Sequence, residues 1–473
     1  MAGATKRFTY WVREKYAFLK TIFIFLILLC PLVLRNIIIR LTRKYVPKKG
    51  KKDITVGFFH PNCNACTPQE NVLWSAVKAI QAEHTNAFIV VYTGDVNVKS
   101  AEILERVGTK FDIKLQPNIK FVHLRQTKWI KKFAYLGSIL VASEALSLLK
   151  PHIIIDTMGY GFVNYIFKTV GRCKVVNYIH NPMVTVEKLK TRHVLLSNNQ
   201  YMLTRRSPSS LGISKGIAFL YGWTGGFADI VMVNSTYTED NVDAIWKCPE
   251  KTHIVYPPIG LEKLMAKVDL SWEKKIDYRI INASEFKVES NHKLILQALS
   301  KAKNKIHSGI RNEIRLILIN LSTEPNEEYL KSLKDMIKEH DLEDNVKIHP
   351  QNIHAAHLEE ELIKASYGIY AKADDHFGSD VIAGLAAGQI MIVHNSGAAR
   401  NELINVDEDS TNGYLAKTVE EYTQALFEAF ELMSSNKRSM RKAARRTAEK
   451  FSRLHYQKRF LNLTEELFAK NKK

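Results

Sequence analysis

Residues 367–397 read YGIYAKADDHFGSDVIAGLAAGQIMIVHNSG. The pattern predicts a strand over Tyr367–Ala371 and an acidic turn through Asp374, Asp375, His376, Phe377 and Gly378. A helix opens near Ser379–Asp380 and is closed by Gly388, and a second apolar strand follows at Ile390–His394. A turn at the carboxyl end of a parallel strand, leading into a helix, is where α/β sheets bind phosphorylated ligands. The first turn of a helix exposes unpaired N–H groups and carries a partial positive charge. Gly378 lets the backbone come close to a ligand, and the Asp375 carboxylate can accept hydrogen bonds from sugar hydroxyls. An ordinary βαβ crossover has the same pattern, so the stretch decides the fold class before it decides a function.

Working outward, 473 residues are too many for one core, and two domains with an appendage are expected. With 46% hydrophobic and 25% charged residues the composition is globular. The excess of 68 Lys and Arg over 48 Asp and Glu gives a net charge of +20, which favours an anionic partner. Nucleic acid is not indicated, because there is no zinc-finger spacing, no recognition motif and no basic arm interleaved with aromatics. Five scattered cysteines suit a reducing compartment. Cys63 and Cys66 form one C-x-x-C with no second pair or histidines at ligand spacing, so no metal site is expected.

The chain then divides. Residues 1–52 hold an uncharged run, Thr21–Leu34 (TIFIFLILLCPLVL), which extends to Ile39 only by taking in Arg35 and Asn36. Such a run suits a tilted or partly interfacial membrane anchor. Its heavier basic flank (Arg35, Arg40, Arg43, Lys44, Lys48, Lys49, Lys51, Lys52) points the remainder to the cytosol. Residues 53–258 alternate strands (Ile54–Phe59, Ala87–Tyr92, Ile153–Asp156, Val175–His180, Asp229–Val233) with amphipathic helices such as Glu70–Glu83, the signature of a parallel sheet covered on both faces. The basic–aromatic stretch Tyr201–Gly226 reads as a buried helix or a membrane-facing surface. Tyr256-Pro257-Pro258 marks a junction. Residues 259–435 repeat the alternation (Tyr278–Asn282, Ile314–Ile319, Val346–Ile348 and the two strands above), and 436–473 read as a C-terminal basic helix. Two α/β halves of this kind imply a cleft between them.

The strings GFFHPNCNA, ENVLW, VVYTGDVNV, IDTMGYGF, YIHNP, VMVNSTYT, IVYPP, DHFG and AAGQIMIVHNSGAA, in that order, resemble the eukaryotic mannosyltransferase family of the lipid-linked oligosaccharide pathway. The resemblance runs from the N-terminal anchor to the last helix. It implies a GT-B fold with two Rossmann-like domains facing a cleft and retaining chemistry without a metal or other cofactor. It also implies GDP-mannose as donor and a dolichol-pyrophosphate-linked trimannosyl chitobiose as acceptor, which receives two α-1,2-linked mannoses at the cytosolic face of the endoplasmic reticulum membrane. Other mannosyltransferases of the dolichol pathway are then candidate partners. By the same resemblance His180 contacts the transferred sugar, Lys287 stands where the family has the first of two diphosphate-neutralising cations, and Asp375 stands for the first of two paired glutamates. His376, Phe377 and Gly378, with Asn395, Ser396 and Gly397, complete the donor site.

Several positions depart from the family. Ser290 replaces the second cation, Ala383 the second glutamate, and Cys66–Asn71 a glycine-rich loop. Arg-to-Lys at 287 keeps the charge but loses bidentate geometry. Two readings follow: an active enzyme relying on His180, Lys287 and Asp375, or a catalytically weakened paralogue acting as a scaffold for neighbouring glycosyltransferases.

Overall fold

The computed structural model describes residues 2–42, 54–65, 67–125, 127–128, 130, 137–186, 189, 191–195, 201–205, 207–268, 275–322, 326–351, 353–407 and 411–469. The chain forms two compact units. The first comprises residues 1–234, 238–258 and 453–473; the second comprises 235–237 and 259–452.

The first unit carries a seven-stranded parallel sheet in the order β3-β2-β1-β4-β5-β8-β9. Its strands are β1 (Thr55–Phe59), β2 (Phe88–Thr93), β3 (Ile119–His123), β4 (Ile153–Asp156), β5 (Lys174–Ile179), β8 (Ile230–Val233) and β9 (Thr252–Ile254). Strands β1, β4 and β5 are buried almost throughout, because helices cover both faces and leave no side for polar residues. A separate antiparallel pair, β6 (Thr191–Leu195) with β7 (Tyr201–Arg205), lies outside this sheet. The stretch 201–226 is therefore a strand followed by a helix, rather than one helix.

Helix α1 (Ala2–Thr42) is 41 residues long, about 60 Å at 1.5 Å per residue. It runs beside helix α2 (Pro208–Gly225), in the same sense, through two glycines. A Cβ at Gly212 would lie 2.1 Å from the Glu14 carbonyl oxygen, and one at Gly216 would lie 2.9 Å from Thr21 Cβ. Lys215 and Glu14 close the seam with an ion pair at 2.6 Å. The inner face of α1 joins the first unit's core through Ala17, Phe25 and Leu29, with the Phe25 ring 5.9 Å from that of Phe162. Its outer face shows Phe8, Val12, Tyr16, Leu19, Phe23 and Ile27 at helical spacing, all exposed. No helix among the described residues is long and apolar enough to cross a membrane, and one side of the apolar run 21–34 is used by the protein core.

The second unit holds a six-stranded parallel sheet in the order β12-β11-β10-β13-β14-β15. It is built from β10 (Ile276–Ser284), β11 (Arg315–Asn320), β12 (Val346–His349), β13 (Ala365–Tyr370), β14 (Ile390–His394) and β15 (Gly413–Ala416). The segment expected as one basic helix over 436–473 is two helices in different units. Ser434–Glu449 belongs to the second unit, and α3 (Arg453–Ala469) to the first. On α3, Tyr456 donates to the Val72 carbonyl at 3.2 Å, Arg453 to that of Phe111 at 2.7 Å, and the Phe468 ring stacks on His84 at 3.7 Å.

Candidate functional site

In both sheets the strand order switches from one side to the other at the first strand, between β1 and β4 and between β10 and β13, while all strands stay parallel. The loops leaving the carboxyl ends of strands at such a switch point form the ligand-binding edge of doubly wound sheets.

In the second unit three loops meet there. Asn282 Nδ2 donates to the Ile369 carbonyl at 2.7 Å, holding the ends of β10 and β13 together. After β10 comes Glu285-Phe286-Lys287, where Lys287 and Glu285 form an ion pair. Ser290 is buried and donates its hydroxyl to the Glu285 carbonyl at 2.6 Å, so it braces this turn. After β13, Lys372 Nζ lies 3.0 Å from Asp375 Oδ1. Gly378 then adopts φ +74°, a left-handed conformation natural to glycine, and opens helix α4 (Ser379–Ala386).

The loop after β14 fixes this acidic turn. Gly397 has φ +59°, and a Cβ there would fall 2.4 Å from the Asp375 carbonyl oxygen. The Ala398 N–H donates to that oxygen at 2.9 Å, and the Asp374 N–H donates to Ser396 Oγ at 2.8 Å. Ser396 Oγ also lies 2.8 Å from His394 Nδ1. Asn395 Oδ1 is buried and has no partner among the described residues. The structure thus gathers Lys287, Asp375, His376, Phe377, Gly378, Asn395, Ser396 and Gly397 at one edge. Phe377 packs edge-on against Phe451 at 5.6 Å, and the His376 ring lies 5.0 Å from Tyr237.

The acidic turn has a member that sequence reasoning missed. Asp380, in the first turn of α4, has its carboxyl pushed up to about 7, by burial first and then by the neighbouring Asp375 carboxylate, with Lys372 opposing. Lys372 and Glu285 were missed as well. Lys372 stands three residues before Asp375 in the opening stretch, but its nearness to Glu285 emerges only when β10 pairs with β13.

His180 lies in the first unit, directly after β5, and its carbonyl accepts from Asn234 Nδ2 at 2.8 Å. A hydrogen bond with the Thr157 backbone favours the protonated ring, but more weakly than burial disfavours it. The ring Nε2 is buried without a partner among the described residues. Burial pushes the imidazole down to about 4 despite the Thr157 bond, so the ring is neutral at physiological pH. His60, after β1, is buried, and its Nδ1 lies 2.7 Å from Thr157 Oγ1. Burial, and then His180, push it down to about 3. Sequence reasoning missed His60 and Thr157, although both follow strands at the switch point. Asp156, which ends β4, is a structural carboxylate that accepts from the Met158 and Tyr160 N–H groups and Asn177 Nδ2 at 2.7–2.9 Å.

Of the loop expected to replace a glycine-rich one, Cys66 lies outside the described residues. The rest begins the helix Pro68–Glu83, with Thr67 and Glu70 forming a reciprocal capping box and Asn71 donating to the Pro258 carbonyl at 2.7 Å. Among the described residues no group of three or more His, Cys, Asp or Glu could hold a metal ion.

Two doubly wound parallel sheets of this kind match the GT-B fold of glycosyltransferases. A glycosyltransferase from Rickettsia africae has the same fold, with a TM-score of 0.61 at 14% identity over 88% of this chain and 99% of that one. So does Anabaena HepE in complex with UDP-glucose, with a TM-score of 0.58 at 14% identity over 87% and 100%. The family described as ALG11 mannosyltransferase N-terminus matches residues 53–246, and glycosyl transferases group 1 matches 270–451. The GDP-Man:Man(3)GlcNAc(2)-PP-Dol alpha-1,2-mannosyltransferases of Xenopus tropicalis and Homo sapiens are each 32% identical to this chain. They align over 89% of it and over 89% and 88% of their own lengths. That of Dictyostelium discoideum is 30% identical over 90% of this chain and 87% of its own. The chain belongs to this mannosyltransferase family.

Proposed function

We propose that this chain transfers mannose from GDP-mannose, in α-1,2 linkage and with retention, to dolichol-pyrophosphate-linked Man3GlcNAc2. The observation that carries the reading is the acidic turn at the β10/β13 switch point. Gly397 and Ser396 hold it, and it leads through left-handed Gly378 into α4. Kinship along nearly the whole chain supplies the substrate class.

In this reading Lys287 neutralises charge on the departing GDP, and Asp375 accepts hydrogen bonds from sugar hydroxyls. His180 Nε2, buried and without a partner among the described residues, meets a hydroxyl of the transferred mannose. His376, Phe377, Gly378 and Asn395 line the donor side, while Ser396 and Gly397 hold the turn. Preorganised groups aimed at developing charge usually supply most of the rate enhancement in such transfers, and this chemistry needs no metal or other cofactor.

In this reading the protein works at the cytosolic face of the endoplasmic reticulum membrane, where other dolichol-pathway mannosyltransferases are candidate partners. The exposed aromatic and aliphatic stripe of α1 and the basic flank after it support a membrane-surface position. The purified full chain, given GDP-mannose and lipid-pyrophosphate-linked trimannosyl chitobiose, should yield an α-1,2-mannosidase-sensitive product, and EDTA should not inhibit it. No turnover where the human relative turns over would refute the activity. A glycan on Asn234 or Asn462 in cells would refute the cytosolic placement.

A further inference from the structure

We propose that Lys372 is the second diphosphate-binding cation of this enzyme. In the free protein it is parked on Asp375, so that donor binding moves Lys372 to the diphosphate and frees Asp375 for the sugar. The inference rests on the donor assignment above and adds a residue and an exchange to it.

The argument begins with sheet register. Strands β10 and β13 pair in parallel with Ile281 opposite Gly368. Continued residue for residue, the register sets Ile369 opposite Asn282, where the side-chain bond is found, and Lys372 opposite Glu285. Lys372 therefore stands beside the Glu285–Lys287 pair although 85 residues separate the two lysines in sequence.

Charge supports the placement. Among the described residues 285–291, 371–378 and 395–398, which form the loops after β10, β13 and β14, the lysines and arginines are Lys287 and Lys372 alone. Ser290 cannot substitute, because it is buried and its hydroxyl is committed to the Glu285 carbonyl. Lys372 stands among Glu285, Asp375 and Asp380, and Lys287 pairs with Glu285. Partial burial opposes the Lys372 charge, but these three carboxylates outweigh it and hold the ammonium above its ordinary range. The lysine side chains remain 43% and 44% exposed, so an incoming ligand can reach both.

The exchange follows from competition. An exposed lysine–carboxylate pair is weak, whereas a diphosphate offers more charge and several acceptors to the same ammonium. A diphosphate that draws Lys372 away leaves both Asp375 oxygens free. Engagement of the two ends of the donor is thereby coupled through one ion pair.

The test measures GDP and guanosine affinities of the purified full chain by calorimetry, with transfer from GDP-mannose, for wild type, K372M, K372R and D375N. Wild type should bind GDP. K372M should lose about 10- to 100-fold in GDP affinity while guanosine changes less than about twofold, and K372R should keep most of the affinity. D375N, which removes the competing carboxylate, should bind GDP several-fold more tightly yet transfer more slowly. The proposal is overturned if K372M binds GDP as wild type does, or loses guanosine and GDP affinity equally. It is also overturned if D375N loses GDP affinity as K372M does, because the pair is then only a brace. A wild-type chain that binds no GDP removes the donor assignment itself, an outcome distinct from a binding wild type with a silent K372M. Thermal unfolding of each variant, expected within about 2 °C of wild type for an exposed pair, separates misfolding from lost binding.

Discussion

Replacing Gly397 by Ala isolates the geometry on which the acidic turn depends. The left-handed backbone at φ +59° costs a residue with a Cβ about 1–2 kcal/mol. The new methyl would fall 2.4 Å from the Asp375 carbonyl oxygen and 2.8 Å from its nitrogen, against a comfortable contact of about 3.5–4.0 Å. One of the two loops must move, and the bond from the Ala398 N–H to Asp375, worth about 1 kcal/mol, is lost or stretched. The loss totals about 2–4 kcal/mol in the second unit, or roughly 4–12 °C in its unfolding midpoint at the size of that unit. A displacement of Asp375 by about 1 Å should lower mannose transfer by on the order of 100-fold. Gly108→Ala is the control: nothing lies within 4 Å of a Cβ there, and the site is inside the helix Ser100–Phe111. It should leave stability unchanged or raise it by about 0.5–1 kcal/mol. Scanning calorimetry with a radiolabelled transfer assay reads both effects. A G397A chain that unfolds and transfers like wild type would refute the interlock between the two loops.

His180→Ala should slow transfer by about 10- to 100-fold while GDP affinity stays within about twofold. Because burial holds His180 neutral down to about 4, the rate should show no acid limb near 6.5, and a limb there traced to His180 would contradict its burial. Asp380, with its carboxyl pushed up to about 7 by burial and then by Asp375, contributes stability that is present below about 3.8 and lost as pH rises through 7. Asp380→Asn should therefore gain stability over wild type between pH 4 and 8, and a constant difference across that range would count against the shift. Ser290→Lys, which looks from sequence like restoration of a lost cation, would remove the hydroxyl bond to Glu285 and force a charge out of a buried position. It should destabilise the second unit by about 2 kcal/mol or more without raising transfer, as unfolding midpoints and initial rates would show.

How far most strands could be read from the sequence follows their burial, with the half-exposed edge strand Val346–His349, read from its apolar positions, as the exception. Ile153–Asp156 and Ile390–His394 were legible as strands because every position is apolar or the strand lies deep in a covered sheet. Ile119–His123 and Gly413–Ala416 were not, because each is a short edge or near-edge strand with half-exposed positions that blur the pattern. The N-terminal helix was legible in its apolar content but not in its use: Gly212 and Gly216, about 200 residues away, turn one face inward and leave the other bare. At the site, Lys287, Asp375, Gly378 and His180 stood out because each sits in a recognisable string. Lys372 and Glu285 lie outside those strings, and His60 and Thr157, although inside GFFHPNCNA and IDTMGYGF, had no role attached to them there. Their proximity comes from strand pairing and from imidazole burial, and neither is encoded in local spacing.

The return of the helix Arg453–Ala469 to the first unit bears on how the protein is made. Its Tyr456, Phe460, Leu467 and Phe468 side chains are buried in a core whose other strands lie within residues 55–254. Translation delivers the last of those strands about two hundred codons before the helix that covers them. The second unit, whose strands lie between 276 and 416, has its whole sheet synthesised first. A ribosome-bound chain must therefore carry an uncovered apolar patch on the unit it began, a natural site for chaperone capture. A frameshift or stop codon near position 452 should then act as an amino-terminal defect, leaving a folded second unit attached to a first unit unable to close its core.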